Sequence, residues 1–257
     1  MADLQQEDET SSVPTFFKEH RELFDLLDKV LASTGDEATW RSASGGNGMV
    51  SATESTLIRD MSEILGRYQE QPTCLDPHLE RIISQLMSLA QRYVYAFHDS
   101  LPAGSADAVS AQRMSGIFGL VYLLCKVRGY KVVLRFFPHE VADIEPVFAT
   151  LWYHTAKPDG RSWTTRYVLL IWLSLLAMIP FDIESIDSGM HGLPALEPAD
   201  AEANMANMSL VKKWVALGKV YLRRPGCEME GAAVMLSRLL SRKDTVQDLQ
   251  PAFLQWA

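Results

Sequence analysis

Cysteine is scarce in this sequence. Among 257 residues there are three, Cys74, Cys125 and Cys227. They are far apart, odd in number and form no CxxC pair, so neither a disulfide framework nor a zinc spacing is present, and reduced thiols are expected. Long uncharged runs are also missing. The longest, Tyr167 to Phe181, is interrupted by Pro180 and falls short of the roughly 20 apolar residues that a membrane-spanning helix needs. It reads as a buried core helix, and no integral membrane segment is expected. The opening MADLQQEDET contains neither the basic nor the apolar stretch of a secretory signal. Positive charge is in deficit too. A net charge of −8 disfavours bulk attraction to nucleic acid or to an anionic membrane.

The usual chemical motifs are absent. There is no GxxxxGK[ST], no GxGxxG and no GxSxG, which leaves phosphate loops, dinucleotide sites and an esterase elbow unsupported. The histidines (His20, His78, His98, His139, His154 and His191) form no HExxH, since HEVAD at His139 has no second histidine. Asp143/Glu145 and Asp182/Glu184 are spaced by two, so neither pair shares a helix face; they read as surface or capping residues. Cys125 falls in an apolar stripe, where a thiol behaves as a small hydrophobe. Trp152, Tyr153, Trp163, Tyr167 and Trp172 read as packing residues. No catalytic residue, metal ligand or cofactor is expected, and the chain does not read as an enzyme.

What the sequence does contain is helical periodicity. Apolar residues make up 47% and charged residues 22%, as in an ordinary folded protein. Phe16, Phe17, Leu23, Phe24, Leu27, Val30 and Leu31 recur at steps of three and four. A Ser/Gly-rich stretch over 33–56 reads as a loop. Leu57, Ile58, Met61, Ile64, Leu65 and Tyr68 resume the helical period. Asp76-Pro77 reads as a helix start in which the carboxylate caps free amides. Leu79, Ile82, Ile83, Leu86 and Leu89 continue that helix. After a break at 100–108, another helix runs through Ile117, Phe118 and Val121, with Gly129 at its C′ position. Tyr130 to Phe137 fits a helical turn or a strand. Helices then follow over 140–154, with Pro146 at a kink or in the first turn, over 163–179, over 210–222 and over 232–240, with a last one near 248–257. A long loop fills 182–208.

The helices pair about every 40 residues, the pattern of HEAT or armadillo repeats, in which each pair covers its apolar face by stacking on its neighbours. The expected fold is therefore all-α, a HEAT/armadillo-like helical repeat solenoid, with a compact bundle as the alternative. Residues 1–53 read as an N-terminal helix plus flexible loop, and 54–257 as the first section of a repeat array. The amphipathic pattern runs to the last residue with no polar capping repeat, so the array is expected to continue.

Charge is distributed unevenly. Residues 1–30 hold eight acids against three bases, and residues 208–243 hold eight bases against two acids. The basic stretch suits either a solvated helix face or an acidic partner. Between Lys126 and Pro146, cations (Lys126, Arg128, Lys131, Arg135) precede acids (Glu140, Asp143, Glu145), with Phe136-Phe137-Pro138 between them. Helix dipoles alone favour that order; an ion network or a partner-binding ridge would use it as well. Charged residues beside a proline-broken segment are poorly explained by core packing. Arg128, Lys131, Arg135, His139, Glu140 and Asp143 are therefore the candidate partner-binding residues.

The stretch KVRGYK…RFFPHEVADIEPV resembles the tubulin-folding cofactor D family. So do LGRYQEQPTCLDPHLERII (Leu65 to Ile83), TRYVLLIWLSLLAMIPFDI (Thr165 to Ile183), the segment Ala232 to Leu240 and the closing FLQW, all in family order. The resemblance implies a cytoplasmic, microtubule-associated HEAT-repeat chaperone that captures β-tubulin. It further implies that the chaperone works with cofactors C and E and an Arf-like small GTPase, assembles or dismantles αβ-tubulin dimers, and promotes GTP hydrolysis by tubulin. The alternative is a helical-repeat adaptor or GTPase-regulating module with another client.

Overall fold

A computed structural model describes residues 16–33, 52–101, 108–156, 163–186, 193–194, 196 and 208–257. Among these residues the regular structure is helical throughout: α1 (His20–Ser33), α2 (Ala52–Gly66), α3 (Leu79–Ser100), α4 (Ala108–Leu124), α5 (Tyr130–Val133), α6 (Ile144–Ala156), α7 (Trp163–Leu176), α8 (Leu210–Leu222), α9 (Cys227–Leu240) and α10 (Leu249–Trp256). None is long and apolar enough to cross a membrane. The expected loop at 33–56, the break at 100–108 and the expected loop at 182–208 lie largely outside the described residues. The helix α2 nevertheless begins at Ala52, inside the first of them, and Ile183–Ile186 forms a 3-10 turn inside the last.

The helices stack in two layers. In one layer α2 packs on α4, α4 on α7, and α7 on α9. In the other, Arg81 of α3 lies over the Phe24 ring of α1, α3 packs on α6, and α6 meets α8 through the Phe148–Trp214 ring pair and the Thr155–Tyr221 hydroxyl contact. Cross-layer contacts join α1 to α2, α3 to α4, α6 to α7 and α8 to α9. Each pair thus covers the apolar face of the next, the expected repeat architecture. Burying one Leu or Phe contributes about 1.5–3 kcal/mol, and the buried apolar side chains form one continuous cluster from Phe17 to Leu240.

Local sequence explains most of the boundaries. The helix α3 shows Leu79, Ile82, Ile83, Leu86, Leu89, Ala90, Tyr93, Val94 and Phe97 to the core, an apolar stripe at helical spacing. Pro146 sits in the first turn of α6, where its missing amide needs no partner. In α8, Gly218 allows α9 to approach closely, because a Cβ there would come within 2.7 Å of the Leu236 side chain. Two readings change. Phe16 is 59% exposed while Phe17 is 2% exposed, so the α1 stripe begins at Phe17. The helix α7 stops at Leu176, and the Ala177–Phe181 turn is closed by Arg242, whose guanidinium donates to the carbonyls of Ala177 (2.9 Å), Ile179 (2.8 Å) and Phe181 (2.6 Å). Carbonyls without helical partners need such donors.

The outer edge of α1 docks through an aromatic cluster. His20 and His78 stack at 4.9 Å, Phe17 and Phe24 meet the His78 ring edge-on, and Arg81 pairs with Asp28 at 3.9 Å. Burial, followed by the charges of His20 and Arg81, holds His78 below its usual pKa. The folded state therefore prefers a neutral ring, while the unfolded chain takes up the proton as pH falls past about 6.5. Stability from this dock is full above that pH and is lost below it. Thermal melts between about pH 7.5 and 5 should show a midpoint falling with pH, with a shallower slope in His78→Gln. An unchanged slope would contradict this reading.

Candidate partner-binding surface

The segment after α4 leaves the α-helical path. Cys125–Gly129 forms a π turn, and Gly129 ends it at φ +92° and ψ 131°, a conformation that suits glycine but is not the left-handed one of a C′ residue, so the expected C′ role is replaced by a π-turn end. Tyr130 to Phe136 then forms short helical turns and no strand. Extended backbone at Phe137 leads to the 3-10 turn Val141–Asp143 and into α6. Val127, Val133, Leu134 and Phe137 are buried. They pin one side of the segment, while its charged side chains go in two directions.

Two of the six candidate residues turn inward. Arg128 forks onto Asp76, with Nε–Oδ1 at 2.5 Å and Nη2–Oδ2 at 2.8 Å. This bidentate pair also overturns the capping role expected of Asp76. Pro72–His78 is a 3-10 turn, α3 starts at Leu79 with no side-chain cap, and the guanidinium takes the carboxylate instead. Hydrogen bonding from Arg128 holds the Asp76 carboxyl below its usual pKa. Asp143 is 0% exposed. Its Oδ1 accepts from Gln91 Nε2 at 2.6 Å and from the Tyr95 hydroxyl at 3.1 Å, and its Oδ2 accepts from the Glu140 amide at 2.9 Å. Burial, reinforced by this carboxylate, raises the Tyr95 hydroxyl pKa well above its usual value. The expectation that Asp143 faces a partner is therefore corrected. A buried carboxylate must be satisfied internally, and three donors inside the protein already hold it.

The other four residues, Lys131, Arg135, His139 and Glu140, are exposed. Glu140 also completes a reciprocal capping box with Asp143, and His139 Nδ1 lies 3.1 Å from the Phe137 carbonyl. His139 and Glu140 form one wall of a groove of about 410 Å³. Ser84, Met87, Ser88 and Gln91 of α3 form the other, and Phe136, Phe137 and Pro138 line the groove as well. Its frame is fixed from below, because the buried Trp172 of α7 donates to the Pro138 carbonyl at 2.8 Å and meets the Phe137 ring edge-on. Gln91, Tyr95 and Trp172 were not among the candidates. Gln91 and Tyr95 stand four apart beside the apolar stripe of α3, a signal of one shared polar face. Trp172 reads only as core.

Cys125 is buried, and burial pushes its thiol up to about 12. That is the behaviour of an inert packing residue. Among the described residues no group of three histidine, cysteine or acidic side chains is placed to hold a metal ion.

A family model described as tubulin-specific chaperone D-like, ARM repeat, matches residues 65–257. The chain belongs to that family. It is 24% identical over 313 aligned residues to the tubulin-specific chaperone D of Dictyostelium discoideum, an alignment covering 94% of this chain and 20% of that protein. It is 27% identical over 207 residues to the tubulin-folding cofactor D of Schizosaccharomyces pombe, covering 79% of this chain and 15% of that protein. The chain thus spans a fifth or less of the curated relatives it matches. No solved structure matches it. The family match takes in the whole Lys126–Pro146 joint and both walls of the groove.

Urea titrations should separate the inward residues from the outward ones. Asp143→Ala is expected to lose about 3 kcal/mol by leaving buried donors unpaired. Arg128→Ala should lose about 1 kcal/mol, because its pair is partly solvent-screened. Arg135→Ala should stay within about 0.5 kcal/mol of the parent. A loss for Arg135→Ala equal to that for Asp143→Ala would refute the division.

Proposed function

We propose that this chain is the N-terminal section of a scaffold that captures β-tubulin. In this reading the scaffold works with tubulin-folding cofactors C and E and an Arf-like small GTPase, assembles or dismantles αβ-tubulin dimers, and promotes GTP hydrolysis by tubulin. The observation that carries the proposal is the family match over residues 65–257, which includes most of the two-layer helical array. Both relatives are named for tubulin. A stacked helical array offers a broad surface, which suits a folded protein client better than a small substrate. The chain acts by binding and is not itself an enzyme; the nucleotide and its hydrolysis belong to the client. Its place of work is the cytoplasm, in association with the microtubule cytoskeleton.

The contact residues proposed here are Lys131, Arg135, His139 and Glu140, around the groove against α3. Arg128 and Asp143 support that surface from within. In the full-length protein, Lys131→Ala/Arg135→Ala should reduce recovery of β-tubulin or of the GTPase in pull-downs by about fivefold, the effect of losing two charged contacts. The thermal midpoint should hold. Unchanged recovery of both partners would remove this surface from the interface, and unchanged recovery after deleting residues 1–257 would reduce the whole region to structural support.

A further inference from the structure

The groove beside Glu140 has a polar row along one wall. Ser84, Ser88 and Gln91 of α3 line it one turn after another. Gln91 gives its amide to Asp143 at 2.6 Å, which leaves its carbonyl oxygen as an acceptor. Ser84 and Ser88 are exposed, and neither hydroxyl makes a hydrogen bond among the described residues. A serine within a helix often turns its hydroxyl back onto the carbonyl four residues earlier, as Ser62 does to Ile58 at 2.8 Å. The two serines of α3 do not. Beside this row lies an apolar floor, where Met87 and Phe137 are buried and Phe136 and Pro138 half-buried.

The charges around the groove are uneven once their local partners are taken into account. The Glu140 carboxylate accepts from the Asp143 amide. Glu80 stands exposed in the first turn of α3, where the helix dipole favours an acid. Arg92 follows Ser88 by four residues, on the same side of α3, and Arg135 adjoins Phe136 on the opposite wall. Both are exposed, and neither forms an ion pair among the described residues. Each wall thus carries one cation to which the fold assigns no acid.

We propose that this groove takes an extended segment of a partner protein in which one apolar residue is flanked on both sides by acidic ones. This rests on the contact surface proposed above and names the chemistry of what binds there. The row from Ser84 to Gln91 runs about 10 Å along the helix, the length of about three residues of extended chain. An extended main chain presents unpaired amides and carbonyls along its edge, which the two hydroxyls and the Gln91 oxygen can satisfy. A helix would leave the row unused, because its own main chain is already paired. Side chains of an extended segment alternate in direction. One apolar side chain therefore goes down onto Met87 and Phe136, and its two neighbours turn away from the floor and bring their carboxylates to Arg92 and Arg135.

The test is fluorescence anisotropy of a labelled Gly-Glu-Leu-Glu-Gly peptide titrated with the full-length protein at low salt, beside Gly-Gln-Leu-Gln-Gly and Gly-Glu-Gly-Glu-Gly. Saturable binding of the first peptide alone is expected, weakening with added salt. Arg92→Ala/Arg135→Ala should weaken it by at least about fivefold, and Ser88→Tyr, which fills the groove, by at least about tenfold. Arg21→Ala/Lys29→Ala, which removes equal charge from exposed positions of α1, should leave it within about twofold. Circular dichroism confirms that each variant is folded. Absence of binding, equal binding of the glutamine peptide, or equal losses in the two alanine pairs would overturn the proposal. Dimerisation abolished by Ser88→Tyr would overturn it too, by giving the groove to a second copy, as would tighter peptide binding after removal of residues 1–15, by giving it to the acidic opening of this chain. Pull-downs with Ser88→Tyr separate this proposal from the client reading. Lost recovery of β-tubulin or of the GTPase without any peptide binding would overturn the acidic segment alone, and peptide binding with full recovery of both would overturn only their contact with the groove.

Discussion

A carboxylate with no exposure to water must find its donors inside the protein, and Asp143 finds them on two elements at once. Gln91 and Tyr95 reach it from α3, and the Glu140 amide reaches it from its own turn. This one group therefore fixes where the chain enters α6 relative to α3. Buried ionic groups are weak evidence of net stability but strong constraints on arrangement, since any slip leaves a charge or a donor unpaired. Other contacts rely on the geometry so fixed. The Pro138 carbonyl meets the Trp172 indole, and at the opposite end of the segment Arg128 holds Asp76 in the turn before α3. The joint thus ties α3, α6 and α7 and the Pro72–His78 turn into one body.

That arrangement accounts for the split in the charged segment. Side chains that secure neighbouring repeats point inward, and those left over, Lys131, Arg135, His139 and Glu140, line or flank an outward surface. Repeat arrays gain stability from neighbour contacts and recognition from the surface that stacking leaves open. The same partition recurs further along the chain. Arg166 and Arg242 bind α9 and the turn after it to α7 and its end, while Lys212 and Arg223 remain at the surface.

Much of this was legible in the sequence. Spacings of three and four gave the helices, the pairing of helices gave the all-α repeat class, and Pro146 took the position its backbone favours. The ordered resemblance from Leu65 to the closing FLQW agrees with the family match over 65–257. The partners of polar groups were not legible. Asp76 suited a local helix cap, yet a cation distant in sequence competed for it and won with two hydrogen bonds. Asp143 read as a surface or capping acid; the capping half is met at the Glu140 amide, while its burial was hidden because periodicity records only where apolar residues fall. Two of its three donors lie 52 and 48 residues away, beyond the reach of local patterns. Phe16 and Phe17 both fitted the first stripe, and only packing decided between them.

Native-state hydrogen exchange on the parent and on Asp143→Asn tests the central claim most directly. The account predicts that the amides of α3 around Gln91 and Tyr95, of the Phe137–Asp143 turn and of the first turn of α6 lose protection together in the variant, because one buried group holds all three. Loss of protection confined to the Phe137–Asp143 turn, with α3 and α6 unchanged, would contradict it.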